Sequence, residues 1–520
     1  MRELSNDLVF EKLLKFGLFP EKMEKIFSSE NFGIYAIENG IKEYQNSFFS
    51  DIKFRLTRNN NVPRILSIPH PAPYYNLCKE IKENWEAISK SFGTYDNYRN
   101  TSMIIPKPNN LNKRLVTMLS YDRIKDEKFL ILDKSFKAKY FVHADITNCY
   151  PSIYTHSVPW ALVGKIESKQ NAQKQEEWYN KLDKSIRNIQ RNETVGIPIG
   201  PDTSSIISEI ILSQIDKKLL NYKYFRFTDD YKCYCSSKND ADNFISQLSK
   251  ELEFYNLRLN QKKTIISQLP KSFDDEWINE LKFFINIFLS EEKLHNKHIY
   301  MLGQFFDLII KLVKQFPDES PIRYAVKVLS NKKFVDNDVF AFVILNLSRI
   351  CFSYPYFIDL FDNIFSNNEI TLKIKPSIEE ELNSIIYEHL QYSRSDVALW
   401  GIYLAYKYNL EINDFDGYSN KLIEERDCLP VLLCYYYSIN KNFETKKFID
   451  LVEILIAEQL EDEWWLFIYE VMIKNKNKTI LKKVKYRDFY LKLIDDKISF
   501  INESFILPYG KKKVLKNLPF

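Results

Sequence analysis

The chain contains little glycine: 11 of its 520 residues, or about 2%, against about 7% in an average protein. Because many tight turns depend on glycine, this scarcity disfavours an all-β sandwich or barrel and favours helix. Hydrophobic residues make up 45% of the chain and charged residues 27%, which excludes an intrinsically disordered protein. The length predicts two or three domains, each with a sizeable core.

Cysteine is also sparse, and long apolar runs are missing. The seven cysteines show neither the spacing of a zinc site nor a disulfide framework, which favours a reducing compartment. The first residues lack the apolar core of a signal peptide. The longest uncharged run, residues 146–164, contains Asn148, Pro151 and His156 and would be a poor membrane helix. We therefore expect a cytoplasmic protein without membrane contact.

The second half of the chain, residues 276–520, carries apolar residues at helical spacing. The pattern is clearest in Glu276–Ser290, Tyr300–Gln315, Asp338–Cys351, Ile378–Gln391, Val397–Tyr408, Phe448–Leu460 and Trp464–Lys474. Ser377 and Glu380 predict a capping box at the start of one of these helices. The spacing of the helices predicts an all-α domain of irregular HEAT-like repeats, with one compact bundle as the alternative.

Residues 1–275 mix helical stretches with short β-rich runs, which predicts an α+β domain. Phe141–Asp145 and Tyr224–Thr228 each lead to a carboxylate, and Tyr231–Ser236 is a third β-rich run. A helix is predicted over Asp202–Asn221, between the first two runs. This order of strand, helix and hairpin is the skeleton of a polymerase palm.

Three carboxylates stand at the ends of these strands: Asp145 after the first, and Asp229 and Asp230 where the hairpin turns. If the strands are neighbours, these carboxylates project together and repel one another unless divalent cations neutralise them. Ligands that are all oxygen select Mg²⁺ or Mn²⁺, and two such ions suit phosphoryl transfer. By itself Asp-Asp is also an ordinary turn dipeptide, so the pattern alone leaves a structural turn open.

Several segments resemble reverse-transcriptase motifs, in the order of that family. The match to its Tyr-x-Asp-Asp box is Phe227-Thr228-Asp229-Asp230, and the first palm motif corresponds to Asp145-Ile146-Thr147-Asn148-Cys149-Tyr150. The second palm motif corresponds to Gly196-Ile197-Pro198-Ile199-Gly200, and the Leu-Asn-x-x-Lys-Thr element to Leu259-Asn260-Gln261-Lys262-Lys263-Thr264. Together these motifs imply a fold of fingers and palm over residues 1–275.

The resemblance implies a role for each matching residue. It implies that two metal ions are held by Asp145, Ile146, Asp229 and Asp230. It implies that the incoming deoxynucleotide is bound by seven residues: Lys107, Arg114, Ile146, Tyr150, Gly196, Pro198 and Gly200. The first two of these would grip its phosphates, and Tyr150 would exclude a ribose 2′-hydroxyl. Lys263 would protonate or neutralise the leaving pyrophosphate.

A narrower resemblance covers Ile153–Trp160, which continues the first palm motif. With the helical C-terminal half, this segment is similar to the abortive-infection reverse transcriptases of bacteria. That similarity implies phage defence, synthesis from dNTPs without a template, a protein hydroxyl as primer and a homo-oligomer. The product would be single-stranded DNA, covalently attached when the protein is the primer. Ile199 stands where most reverse transcriptases carry glutamine, which favours synthesis without a template.

The primer hydroxyl is the least defined of these roles. A tyrosine in a flexible N-terminal segment could reach the metal site, and Tyr35 and Tyr44 are the candidates there. Either ring could instead pack in the core.

Two other functions stay open. One is a template-directed RNA-dependent DNA polymerase of the retron or intron kind. The other is a catalytically idle palm that serves as a scaffold, although retention of all three carboxylates argues against it. An RNA-dependent RNA polymerase is disfavoured by Tyr150.

Overall fold

The computed structural model describes residues 4–42, 47–58, 62–92, 102–104, 113–116, 121–272, 276–317, 321–475 and 483–505. Among these residues, the helices of the first half are α1 (Asn6–Phe16), α2 (Glu30–Asn39), α3 (Pro71–Glu83), α4 (Trp85–Ser91), α5 (Tyr121–Ser135), α6 (Cys149–Ser152), α7 (Ser157–Val163), α8 (Lys165–Gln170), α9 (Trp178–Asn188), α10 (Asp202–Asp216) and α11 (Lys238–Phe254). The strands of this half are β1 (Ile52–Leu56), β2 (Arg64–Ile68), β3 (Tyr140–Asp145), β4 (Lys223–Phe227), β5 (Asp230–Cys235) and β6 (Ile265–Gln268).

The second half is almost entirely helical among its described residues. Its helices are α12 (Glu276–Phe288), α13 (Ile299–Gln315), α14 (Pro321–Ser330), α15 (Asn337–Ser353), α16 (Leu360–Asn367), α17 (Lys375–Leu390), α18 (Ser395–Tyr408), α19 (Phe415–Glu424), α20 (Cys428–Lys441), α21 (Lys446–Ala457), α22 (Trp465–Asn475) and α23 (Arg487–Asp495). Two short parallel strands, β7 (Lys293–Leu294) and β8 (Lys333–Phe334), pair between helices.

A four-stranded antiparallel sheet in the order β4-β5-β3-β6 carries the palm-like motifs. Side chains alternate between its faces, as strand geometry requires. Tyr231 and Cys233 of β5 face the main core, whereas Tyr234 joins Phe141 and Phe225 in a small cluster on the other face. This packing fixes the register of the strands, because a slip by one residue would exchange the two faces.

The predicted strands of the palm are confirmed to within one or two residues, and the helix that begins at Asp202 ends at Asp216 rather than Asn221. The hairpin of β1 and β2 was not predicted. The predicted capping box at Ser377 is wrong: α17 begins at Lys375, and its N-cap residue makes no side-chain hydrogen bond. Pro376 explains the difference, because its fixed φ suits the first turn and starts the helix earlier.

Helices of the second half pack mainly on near neighbours in the chain: α14 on α16, α15 on α17, α18 on α20, and α20 on α22. The inner helix α20 is buried nearly all round, which explains why its sequence shows little amphipathic pattern. Among the described helices, none is both long and apolar enough to cross a bilayer. All seven cysteines are buried, and none forms a disulfide.

The two halves share one continuous apolar core. Asp396, in the first turn of α18, accepts hydrogen bonds from the backbone N–H (2.8 Å) and the hydroxyl (2.7 Å) of Thr57. His70 Nε2 lies 2.8 Å from the hydroxyl of Tyr490. The helical half is therefore packed onto the region around β1 and β2. The predicted domain boundary between residues 275 and 276 stays a prediction, since residues 273–275 lie outside the described residues.

Candidate active site

The three predicted metal-binding carboxylates lie together at one end of the sheet. Asp145, the last residue of β3, is the cross-strand partner of Asp230, the first residue of β5. Asp229 occupies the turn between β4 and β5, and its carbonyl accepts a hydrogen bond from Ile146 N–H at 3.1 Å. The antiparallel pairing of β3 with β5 therefore assembles residues that are more than 80 positions apart in the chain.

The turn itself is in an unusual backbone conformation. Thr228 has φ of 50°, a region that β-branched residues rarely adopt. Such a conformation costs about 1–3 kcal/mol and persists only where the surroundings hold it. Here the guanidinium of Arg226 donates to the Thr228 carbonyl at 3.2 Å, and the link from Ile146 ties the far side of the turn to β3. The position of Asp229 is therefore imposed by its neighbours.

Arg226 belongs to a buried ion network that the sequence did not predict. Its side chain is fully buried and pairs with Glu209 and Asp216 of α10, each at 2.7 Å. The hydroxyl of Tyr224 donates to Asp216 at 2.8 Å. A signal was present in the sequence, because an arginine in an otherwise aromatic β-strand needs buried acidic partners. This network joins α10 to the catalytic turn.

The carboxylates repel one another, and Asp229 shows the effect most strongly. Burial, and then the charge of Asp145, raise the pKa of Asp229 to about 6. Two cationic or polar side chains partly offset this excess of negative charge. Lys263 Nζ lies 3.0 Å from Asp145 Oδ2, and His143 forms a hydrogen bond with Asp230. His143 is a site residue that the motifs did not indicate, although it precedes Asp145 by two positions on the same face of β3.

These residues suit a divalent cation by their chemistry. Carboxylates are oxygen ligands of the kind that Mg²⁺ and Mn²⁺ prefer. Burial first, and the charge of Asp145 second, raise the pKa of Asp229, and a bound cation would favour its ionised form. Within the described part of the chain, no group of three or more histidine, cysteine, aspartate or glutamate side chains is arranged to hold a metal ion.

The predicted nucleotide-binding residues lie in two places beside the carboxylates. The ring of Tyr150 is half-buried, and its hydroxyl lies 3.3 Å from Ser205 Oγ on α10. The loop from Gly196 to Gly200, which includes Pro198, is joined to the first palm motif by a hydrogen bond from Ile197 N–H to the Tyr150 carbonyl at 3.0 Å.

The two glycines of this loop are required by its conformation. Gly196 has φ of 89°, and Gly200 has φ of 134°. A Cβ at Gly200 would lie 2.5 Å from Pro20 Cγ, and one at Gly196 would lie 3.2 Å from the Pro151 carbonyl oxygen. The loop therefore packs closely against protein on one side. On another side it borders a cavity of about 420 Å³, whose wall includes Glu463 of the helical half.

Of the two residues predicted to bind the phosphates, the structure describes only Arg114. Lys107 lies outside the described residues. Arg114 forms an ion pair with Asp202 at the start of α10 and donates to the carbonyl of Phe19 at 2.9 Å. Burial raises the pKa of Asp202 to about 6 despite this partner. The phosphate role of Arg114 stays a prediction, and in this structure its guanidinium serves the packing of α10 against the N-terminal segment.

Arg64 is a basic residue near the carboxylates that the motifs did not indicate. Arg64 is the first residue of β2. Burial and the positive charge of Arg58 lower the pKa of Arg64, whereas the negative charges of Asp229 and Asp145 raise it. The Arg64 guanidinium therefore interacts electrostatically with these two carboxylates. The hairpin of β1 and β2 thus provides a cation that could meet substrate phosphates.

The two priming candidates also differ. Tyr35 lies on α2 with only 8% of its surface exposed and belongs to the main core. Tyr44 lies outside the described residues.

Comparisons with known proteins identify the domain that carries this site. Residues 82–305 match the family model described as reverse transcriptase (RNA-dependent DNA polymerase). These residues are a reverse-transcriptase domain. This matched region contains the sheet, the three carboxylates and the Gly196–Gly200 loop. The resemblance to reverse transcriptases is confirmed at this level.

Among solved structures, the chain is similar to apo telomerase from Candida tropicalis truncated from its C-terminal domain. The identity is 13% and the TM-score 0.30, over 50% of this chain and 60% of that one. The chain thus spans less than two thirds of the telomerase chain. A search of curated proteins found no match.

Proposed function

We propose that this protein is a DNA polymerase of the reverse-transcriptase type that adds deoxynucleotides by two-metal phosphoryl transfer. The observation that carries the proposal is the pairing of Asp145 with Asp230 beside Asp229, at one end of the sheet within the reverse-transcriptase domain. These carboxylates, with the backbone carbonyl of Ile146, would hold two Mg²⁺ or Mn²⁺ ions. When bound, the two ions supply activation of the attacking hydroxyl and stabilisation of the leaving pyrophosphate.

The remaining residues would bind and orient the substrate. Lys263 is more than half exposed and contacts Asp145. When a cation binds Asp145, the Lys263 side chain would turn to contact the pyrophosphate instead. Arg64, with Lys107 and Arg114, would contact the phosphates. Tyr150 would lie under the sugar and select deoxyribose, because its position is fixed by α10.

We further propose that synthesis needs no template and starts on a protein hydroxyl, and that the activity serves abortive-infection defence against phage. Support comes from the sequence of Ile153–Trp160 and from Ile199, whose apolar side chain replaces an amide on the template side. The primer would be Tyr44, since Tyr35 is buried. The helical half would form HEAT-like repeats, and the protein would work as a cytoplasmic homo-oligomer with single-stranded DNA attached.

The second candidate is template-directed synthesis on RNA. The family description, RNA-dependent DNA polymerase, favours it. A catalytically idle scaffold is the third, and the cluster of repelling carboxylates disfavours it, because a scaffold gains nothing from their cost.

One experiment separates these functions. The purified protein is incubated with Mg²⁺ and labelled dNTPs or NTPs, with and without an RNA or DNA template. Labelled product from dNTPs alone, linked to the protein, supports the proposal, and mass spectrometry of the linked peptide identifies the primer. Synthesis only with RNA would support the second candidate, and no incorporation under any condition would support a scaffold.

A further inference from the structure

A second cavity lies next to the palm and takes no part in the metal site. It has a volume of about 270 Å³ and lies between α7, α8 and α9. The side chains of its wall that matter here are Tyr154, His156, Trp160, Lys169, Asp183 and Arg187. Three of them come from the segment that follows the first palm motif and has no role in the function proposed above.

One wall of the cavity is aromatic. The rings of Tyr154 and Trp160 meet edge to face, with their centroids 5.8 Å apart, and Tyr154 meets His156 at 5.0 Å. Lys165 Nζ lies 4.2 Å and Lys169 Nζ 5.9 Å from the Trp160 ring. Aromatic rings beside basic side chains are the combination that proteins use to stack a nucleobase and hold its phosphate.

The wall also contains a buried acceptor that lacks a donor. Asp183 is only 4% exposed. Its Oδ2 accepts from His156 Nδ1 at 3.0 Å and from Arg187 Nε at 3.1 Å. Its Oδ1 has no hydrogen-bond partner. A buried carboxylate oxygen without a donor is costly, so a ligand N–H group gains binding energy here if the wall shifts enough to uncover Oδ1.

We propose that this cavity binds one nucleotide, as a free nucleotide or as a unit of single-stranded DNA. The base lies against Trp160, an N–H of the base reaches Asp183 Oδ1 after a shift of the wall that uncovers this atom, and the phosphate meets Lys169. Every DNA base carries an N–H donor on its pairing edge, so the site tolerates any base.

The site is mechanically connected to the Gly196–Gly200 loop. Thr155 N–H donates to the carbonyl of Thr194 at 2.8 Å, and Gly196 N–H donates to the carbonyl of Ile153 at 2.7 Å. A nucleotide held in the cavity therefore contacts the same segment that holds this loop in position beside the carboxylates. The proposal does not depend on whether synthesis is templated.

The test measures binding to full-length Asp229→Asn protein in EDTA, which removes binding through metal ions. One probe is a fluorescent dATP analogue, and the other is a labelled ten-nucleotide oligo-dT, with an abasic oligonucleotide of equal length as competitor. Trp160→Ala should weaken binding about tenfold, as expected for the loss of one stacked base. Lys169→Glu should weaken oligonucleotide binding and lower its salt dependence, because a phosphate contact is lost.

Lys238→Glu makes the same charge change at an exposed position outside the cavity and should leave the affinity unchanged. Loss of dATP-analogue binding in Trp160→Ala identifies a free-nucleotide site, and loss of oligo-dT binding alone identifies a site for the strand. A photo-crosslink from 4-thiothymidine in the oligonucleotide should map to the peptide that contains Trp160. Unchanged affinity of both probes in Trp160→Ala and Lys169→Glu, or equal competition by the abasic strand, would overturn the proposal. Lys169 is exposed, so its variant remains informative if Trp160→Ala does not fold.

Discussion

Asp229 of the palm is partly buried and Glu470 of the helical half is fully buried; burial raises the pKa of both acids, but their surroundings differ. Glu470 accepts hydrogen bonds from the hydroxyl of Tyr436 (2.6 Å), the backbone N–H of Phe500 (2.7 Å) and the hydroxyl of Ser499 (3.1 Å). Asp229 instead faces two further carboxylates. An acid surrounded by donors stabilises the fold, whereas an acid surrounded by acids is retained for what it binds.

The sharpest test of this contrast is Asp229→Asn. We expect nucleotide addition to fall by at least about 1,000-fold, because loss of a metal-ligating charge removes several kcal/mol of transition-state stabilisation. The midpoint of urea unfolding should stay the same or rise, since carboxylate repulsion is reduced. Incorporation of labelled dNTP is the measurement, and Asp242→Asn, an exposed position on α11, is the matched control. Normal incorporation by the Asp229 variant would refute the metal assignment.

The reverse outcome is expected for Glu470→Leu. Removing the acceptor leaves buried donors unpaired, which should lower the free energy of unfolding by about 3 kcal/mol. Tyr436→Phe, which removes only one donor, should cost about 1 kcal/mol. Nucleotide addition per folded molecule should be unchanged at low temperature. A loss of activity without a loss of stability would break the contrast between the two acids.

The raised pKa of Asp229 predicts a dependence of stability on pH. Because its pKa is about 6 in the folded protein and lower in the unfolded chain, the folded state binds the proton more tightly. The contribution of this group to stability is full below about pH 4 and falls by about 2 kcal/mol as the pH rises to 6. Urea unfolding of wild type and Asp229→Asn from pH 4 to 7 isolates this difference.

Urea unfolding in the presence of Mg²⁺ tests whether the cation binds at Asp229. Because the cation favours the ionised carboxylate, it should raise the stability of wild type at pH 7 and have much less effect on Asp229→Asn. An equal effect on both proteins would place the cation elsewhere.

A smaller effect is expected at Tyr150, the residue proposed to contact the sugar. Tyr150→Ala should reduce the preference for dNTPs over NTPs about tenfold, because it removes a steric contact rather than a charge. The measurement is competition between a dNTP and the NTP of the same base. Equal use of both by the wild-type protein would refute the gating role.

Local patterns were sufficient to predict the palm. The strands around Asp145 and the Asp229-Asp230 turn follow from β-rich runs that end at acids, and the helices after residue 276 follow from apolar spacing. The hairpin of β1 and β2 was not predicted, because its strands have only five residues each and pair through tertiary packing. The helix start at Lys375 was not predicted, because Ser377 was interpreted as the N-cap residue. Pro376 instead lies in the first turn of the helix.

The sequence by itself therefore determined which residues are candidates for chemistry: a set of carboxylates and motifs in an order that resembles one family of polymerases. Only the tertiary structure decided which side chains share space with them. The pairing of Asp145 with Asp230, the contact of Lys263 with Asp145 and the support of the Thr228 turn by Arg226 all join positions in different elements. Such contacts depend on strand register and helix packing, which are set by the burial of apolar surface over the whole chain.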